Sequence, residues 1–203
     1  MGNFKQSFLA GLFSIITIGI LTLLTYKTEY GVFLIASFGS SMVLLYGYPE
    51  SPFAQPKNVF FGHVLTAAVG MFFLYFVPLP LFLIASFGSS MVLLYGYPES
   101  PFAQPKNVFF GHVLTAAVGM FFLYFIPLPL YLIIPLAVGF GVGFMILFNV
   151  THPPAGGNPI IVIMGSVSVD YLLTPVISGS IIILLFAIIL NRFILKKNYP
   201  SKK

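Results

Sequence analysis

The sequence predicts an all-α fold, a polytopic transmembrane helical bundle whose helices are broken by proline and glycine. Three observations predict it: 59% of the 203 residues are hydrophobic against 6% charged, successive apolar runs approach bilayer length, and two stretches dense in Pro, Gly and Asn interrupt them. An average soluble domain carries roughly 25% charged residues. Nine bases and four acids cannot build a surface that faces water, so the outside faces lipid. The 17% aromatic content contains no tryptophan, which leaves Tyr alone to form an interfacial belt.

The first run, Phe8 to Tyr26, follows a single Lys5 and lacks the small-residue exit of a secretory signal. It reads as a retained first helix. The next runs are Val32 to Gly47, Val59 to Val77, Leu81 to Gly96, Val108 to Ile126, Leu130 to Phe148 and Tyr171 to Leu195, seven full-length candidates in all. A fragment, Ile160 to Ser168, rises only about 14 Å. It either re-enters the membrane as a half-helix or extends the last helix. Seven crossings put the two termini on opposite sides, with Lys27 on the side of the tail; counting the fragment as a crossing reverses the N-terminal side.

The chain reads as a single membrane domain over residues 1–203 containing a near-perfect tandem repeat: residues 33–81 recur as 82–130 with one difference, Val77 against Ile126. Each copy contributes two helices, so the insertion leaves downstream topology unchanged. Removing the 49-residue offset from 203 residues leaves 154. The added hairpin is expected to be Val59 to Val77 with Leu81 to Gly96, turned by Pro78-Leu79-Pro80, since both outer junctions then stay as in a single-copy chain.

Two stretches break the helices by more than a turn requires. One is Tyr48 to Asn58, repeated from Tyr97 to Asn107; the other is Asn149 to Pro159. Proline removes a backbone donor and clashes with the preceding turn. Val32 to Gly47 has 16 residues and reaches about 24 Å of a core about 30 Å thick, so the first break is expected to begin inside the membrane. Irregular backbone at that depth is tolerated where protein or a watery cavity covers it. Broken helices present free amides to anionic groups; the alternative is an ordinary solvated loop. Asn58, Asn107 and Asn158 stand where N-caps are expected.

The polar residues at the breaks are the candidate site. His63 and His112 sit within otherwise apolar helix, where an ionisable group is a functional hypothesis by default; the alternative is a neutral His bonded to a facing helix. His152 precedes Pro153, Pro154, Gly156 and Gly157, where the glycines let backbone approach a ligand. Gln55, Lys57, Asn58, Gln104, Lys106, Asn107 and Asn158 complete the set, the lysines as sources of positive potential and Glu50 and Glu99 as their counter-charges or as proton carriers. The sequence has no cysteine, its His and acids lack metal-ligand spacing, and no nucleophile elbow is present. No enzyme, metal or cofactor is expected. The basic tail, Arg192, Lys196, Lys197, Lys202 and Lys203, marks a cytoplasmic flank that meets anionic headgroups of the bilayer rather than nucleic acid.

At these breaks the sequence resembles the HPP family of integral membrane proteins, on His152-Pro153-Pro154 followed by Ala155-Gly156, and on Pro49 to Asn58 with Gly62-His63, found again at Pro98 to Asn107 with Gly111-His112. The resemblance implies a compact bundle of about four transmembrane helices and, from members that carry nitrite, a transporter or channel for a small anion. His152, Asn158 and one or both of His63 and His112 are then expected to replace water around the anion, and a protonatable His could couple uptake to pH. A non-transporting membrane scaffold or sensor is the alternative. A bacterial plasma membrane is the expected location, and the small single-copy length is compatible with a homo-oligomer.

Overall fold

A computed structural model describes residues 4–28, 34–76 and 85–201, with side chains for 4–28, 34–69 and 86–201. The described residues form helices α1 (Phe4–Lys27), α2 (Ala36–Gly47), α3 (Pro56–Phe76), α4 (Ala85–Met91), α5 (Pro105–Phe125), α6 (Leu130–Leu147), α7 (Asn158–Met164) and α8 (Leu172–Ile194), and no strand. Among them α1, α5, α6 and α8 are long and apolar enough to cross a membrane. α3 has the same sequence as α5. The turn at Pro78-Leu79-Pro80 lies outside the described residues.

One of the seven expected full-length runs is shorter than the apolar pattern suggested. α2 has 12 residues; α4 is described from Ala85, with seven residues followed by a five-residue π-helical turn, Val92–Gly96. At 1.5 Å per residue α2 reaches about 18 Å, short of a bilayer core of about 30 Å. Extended Leu34 and Ile35 carry the chain up to α2, with Leu34 N bonded to Thr25 Oγ1 at 2.9 Å. Gln6 Nε2 donates to Gly47 O at the other end. α2 therefore runs antiparallel to α1 over most of its length.

Close packing in the centre rests on small residues, since lipid supplies no hydrophobic drive between helices. α1 and α6 cross antiparallel where a Cβ on Gly11 would meet Gly139 O at 2.8 Å, and Lys27 Nζ lies 4.8 Å from the centre of the Tyr131 ring. Ile134, Ala137, Val142, Met145, Ile160 and Val43 form the middle of the core.

The fragment after α6 is neither a loop nor an extension of α8. His152 leads into a 3₁₀ turn, Pro153–Gly157, which passes straight into α7, and residues 150–163 are all buried. This broken segment runs parallel to α5: a Cβ on Gly111 would meet His152 Cβ at 2.8 Å, one on Gly119 would meet Pro159 Cα at 2.9 Å, and Tyr124 Oη donates to Val167 O at 2.7 Å. It thus crosses the same depth as α5, half as helix and half as Pro/Gly backbone covered by protein.

α8 then returns the chain to the face from which α1 starts. Asn191 Nδ2 donates to Leu94 O (2.7 Å), Lys197 pairs with Glu99 (3.4 Å) and Tyr199 Oη donates to Ala103 O (2.8 Å). Both ends of the chain share one face, as the option that counts the fragment as a crossing requires. Of the seven described Lys and Arg residues, six (Lys5, Lys57, Lys106, Arg192, Lys196, Lys197) lie at that face, and Lys27 lies at the other, contrary to its expected place beside the tail.

Candidate functional site

The two kinds of break differ in depth. The loops after α2 and α4 are turns at the shared face, built alike: Ser51 Oγ accepts from Phe53 N at 3.3 Å and Ser100 Oγ from Phe102 N at 3.2 Å, ahead of a 3₁₀ turn. Pro49, Glu50, Pro52, Gln55, Lys57, Asn58 and Lys106 are exposed there, so the first break does not begin inside the bundle as its short preceding run suggested. The Asn residues are not N-caps either. α3 and α5 begin at Pro56 and Pro105, because proline suits the first helical position, where its missing donor costs nothing. Asn58 Nδ2 instead donates to Pro52 O (2.7 Å) and Asn107 Nδ2 to Pro101 O (3.0 Å), fastening each turn to its helix.

The two copies then diverge in their surroundings. In the second, Phe102 is buried where Phe53 is half-buried, and the C-terminal tail lies on the loop: besides Tyr199, Ser201 N donates to Gln104 Oε1 at 2.9 Å, while Gln104 Nε2 holds Pro98 O and Ser100 O. Burial pushes the Tyr199 hydroxyl above the usual phenol range. In the first copy Gln55 only bonds back to Ser51 O.

At the centre, His112, His152 and Asn158 meet through a residue that the sequence reading passed over. Ser90 Oγ stands 2.8 Å from His112 Nε2 and 2.8 Å from His152 Nε2. His152 Nδ1 lies 2.8 Å from Phe102 O, and Asn158 Nδ2 lies 3.1 Å from each of His112 Nδ1, His112 O and Thr115 Oγ1. All of these side chains are 0–1% exposed. Asn158 Oδ1 has no hydrogen-bond partner among the described residues. The only signal in the sequence was the hydroxyl stripe itself, Ser86, Ser89 and Ser90, recurring at helical spacing from Ser37, Ser40 and Ser41.

His63, the first-copy equivalent of His112, makes the same bond to Ser41 Oγ (2.9 Å) with Ser37 Oγ at 3.3 Å, yet it is only partly buried and has no His152 beside it. It faces a cavity instead. One cavity of about 230 Å³ runs from Asn58 and Phe53 at the shared face past His63 and Ser41 to Pro153 and Pro154. A second, of about 400 Å³, adjoins it at Ser37, Ser40 and Ser89 and continues past Ser86 and Gly157 to Leu34 and Met164, toward the opposite face. Gly156 is not on this path; it packs against Gly39, where neither residue has room for a side chain.

The family signature falls on these elements. A model of the HPP transmembrane region matches residues 1–82 and again 77–200. The chain belongs to the HPP transmembrane family. The double match divides within the repeat, as expected when one family unit carries an inserted copy. Two transmembrane proteins of Dictyostelium discoideum are each 36% identical to this HPP chain, one over 194 residues (92% of this chain, 48% of the relative) and the other over 171 (82% and 44%). The chain thus spans about half the length of the curated relatives it matches. No solved structure matches it.

Proposed function

We propose that this HPP protein is a membrane transporter or channel for a small monovalent anion, with nitrite as the first substrate to test. The observation that carries the reading is the pair of adjoining cavities between α2 and α4, which share Ser37, Ser40 and Ser89 and lead from Asn58 to Met164. Hydroxyls can donate to an anion as water does, His63 is held in the wall by Ser37 and Ser41, and no Asp, Glu, Lys or Arg is among the buried polar side chains of the described residues. The lining of this path carries no acid that would repel an anion. Lys57 and Lys106 at the shared face raise the local anion concentration at its mouth.

In proteoliposomes the full chain should move nitrite faster than the leak of empty vesicles. His152→Ala or Asn158→Ala should lower that flux at least tenfold in protein that still extracts as a folded species. Nitrite flux at the empty-vesicle level, for the single-copy chain as well, removes the substrate assignment. Flux lost only together with folding assigns the network to packing, as in a membrane scaffold.

The cluster of six bases supports a cytoplasmic assignment of the shared face, by the excess of Lys and Arg on cytoplasmic flanks, with the tail proposed to meet anionic headgroups. Because the sequence has no cysteine, single-cysteine variants report this directly. In oriented vesicles an impermeant maleimide should treat Lys5→Cys and Asn198→Cys alike and Lys27→Cys oppositely; equal labelling of all three contradicts the topology.

A further inference from the structure

The bonding around Ser90 constrains where the protons between His152, Ser90 and His112 sit. Phe102 O is a carbonyl and only accepts, so His152 Nδ1 carries a hydrogen and, in the uncharged ring, Nε2 is a bare acceptor. At the other end Asn158 Nδ2 also lies against His112 O, another pure acceptor, which fixes the amide with its NH₂ toward His112. A hydrogen on His112 Nδ1 would then face that NH₂, donor against donor. His112 therefore carries its hydrogen on Nε2 and donates to Ser90 Oγ.

Ser90 has one hydrogen and two acceptors to choose between, His152 Nε2 at 2.8 Å and Ser86 O at 3.0 Å. With His152 uncharged, the hydroxyl must point to Nε2, since two lone pairs would otherwise meet at hydrogen-bond distance. If a proton binds Nε2, the ring donates to Ser90 Oγ and the hydroxyl turns to Ser86 O. Both states leave each of these donors paired, and the change between them is the rotation of one hydroxyl. His112 offers no such place, because its remaining nitrogen already faces the Asn158 amide.

We propose that His152 is the proton-binding site of the transport cycle and that anion and proton move together, one to one and without net charge. The inference rests on the anion-transport reading above. A proton on His152 is an isolated charge in a dry interior, and such a charge needs a partner. The groups facing it are His112 from α5, Ser90 from α4, Tyr48 at the end of α2 through Thr151 (3.2 Å), and, across the cavity, His63 from α3. Glu99 of the adjoining loop is exposed and paired with Lys197. None of these supplies a negative charge at the ring. His152 and Ser90 are fully buried and lie behind the cavity wall, which their chain neighbours Pro153, Pro154 and Ser89 form; a monovalent anion held in that cavity is the counter-charge we assign to the protonated ring.

The test uses the full chain in proteoliposomes and in detergent. With nitrite inside and outside, an imposed pH gradient should drive net uptake toward the alkaline side above that of empty vesicles, and an imposed potassium-diffusion potential should leave the flux unchanged. Nitrite binding in detergent should take up about one proton, read by calorimetry in buffers of different ionisation enthalpy. Ser90→Ala removes the acceptor of the His152 hydrogen and should abolish proton uptake, and Ser90→Thr should restore it. Nitrite flux that responds to voltage but not to the pH gradient, or binding without proton uptake, overturns the coupling and leaves the transport reading standing. Absence of both flux and nitrite binding brings down that reading, and the coupling with it.

Discussion

Gly111→Val should destabilise the bundle by about 3 kcal/mol or more, whereas Gly62→Val, the same change at the same place in the other copy, should lie within about 0.5 kcal/mol of zero. A Cβ on Gly111 would stand 2.8 Å from His152 Cβ and 3.0 Å from Val150 O, and one on Gly62 meets nothing within 4 Å. The obstacle at Gly111 is the start of the broken segment, whose backbone is wedged between α5 and α2 and has no free rotamer by which to yield. Accommodation requires the segment to slide off α5, which also parts His152 from Ser90. Intrinsic helix preference is the same at both positions, because the local sequences are identical, so it cancels from the comparison. Unfolding in mixed micelles, followed by the tyrosine signal, measures both variants; equal losses would mean that the broken segment does not lie against α5.

That contrast also shows what was legible in the sequence. Lipid exposure, helix identity and the two breaks followed from composition and from proline, because these depend on local chemistry alone. The half-length of α2 did not, since its apolar run continues past the helical residues into extended backbone that is apolar too. Depth was the larger difficulty. The Pro-rich loops and the HPP stretch have similar compositions, yet one kind turns at a face while the other is buried throughout. What separates them is side-chain size and charge: the second is short-sided, flanked by Gly156 and Gly157 that admit α2, while the first carries Glu50 or Glu99 and a Lys that stay in water. His152, His112 and Asn158 were singled out by the cost of polar groups in lipid, and they do meet. Ser90 was missed because a serine in an apolar helix can satisfy itself on the preceding turn, as Ser14 and Ser180 do. Nothing local distinguishes it from them.

His112→Ala should cost about 3 to 5 kcal/mol and His63→Ala less than about 1. The loss at His112 has two parts. The void left by a ring that is 0% exposed cannot be filled by lipid or water, and Phe87, whose ring centre lies 4.8 Å from that of His112, loses its neighbour. The polar part is the bond in which Ser90 Oγ loses its donor, while the Asn158 amide loses one of three acceptors and keeps His112 O and Thr115 Oγ1. His63 bonds only Ser41 and Ser37, beside a cavity that can admit water to replace the ring nitrogens. His112→Gln, which keeps an amide group near the Ser90 end, should recover part of the loss and separates bonding from volume. A double variant with Ser90→Ala should lose less than the two single losses added, since both remove the same bond. Strict additivity would mean that the Ser90–His112 bond contributes nothing, and the proton assignment built on it would fall.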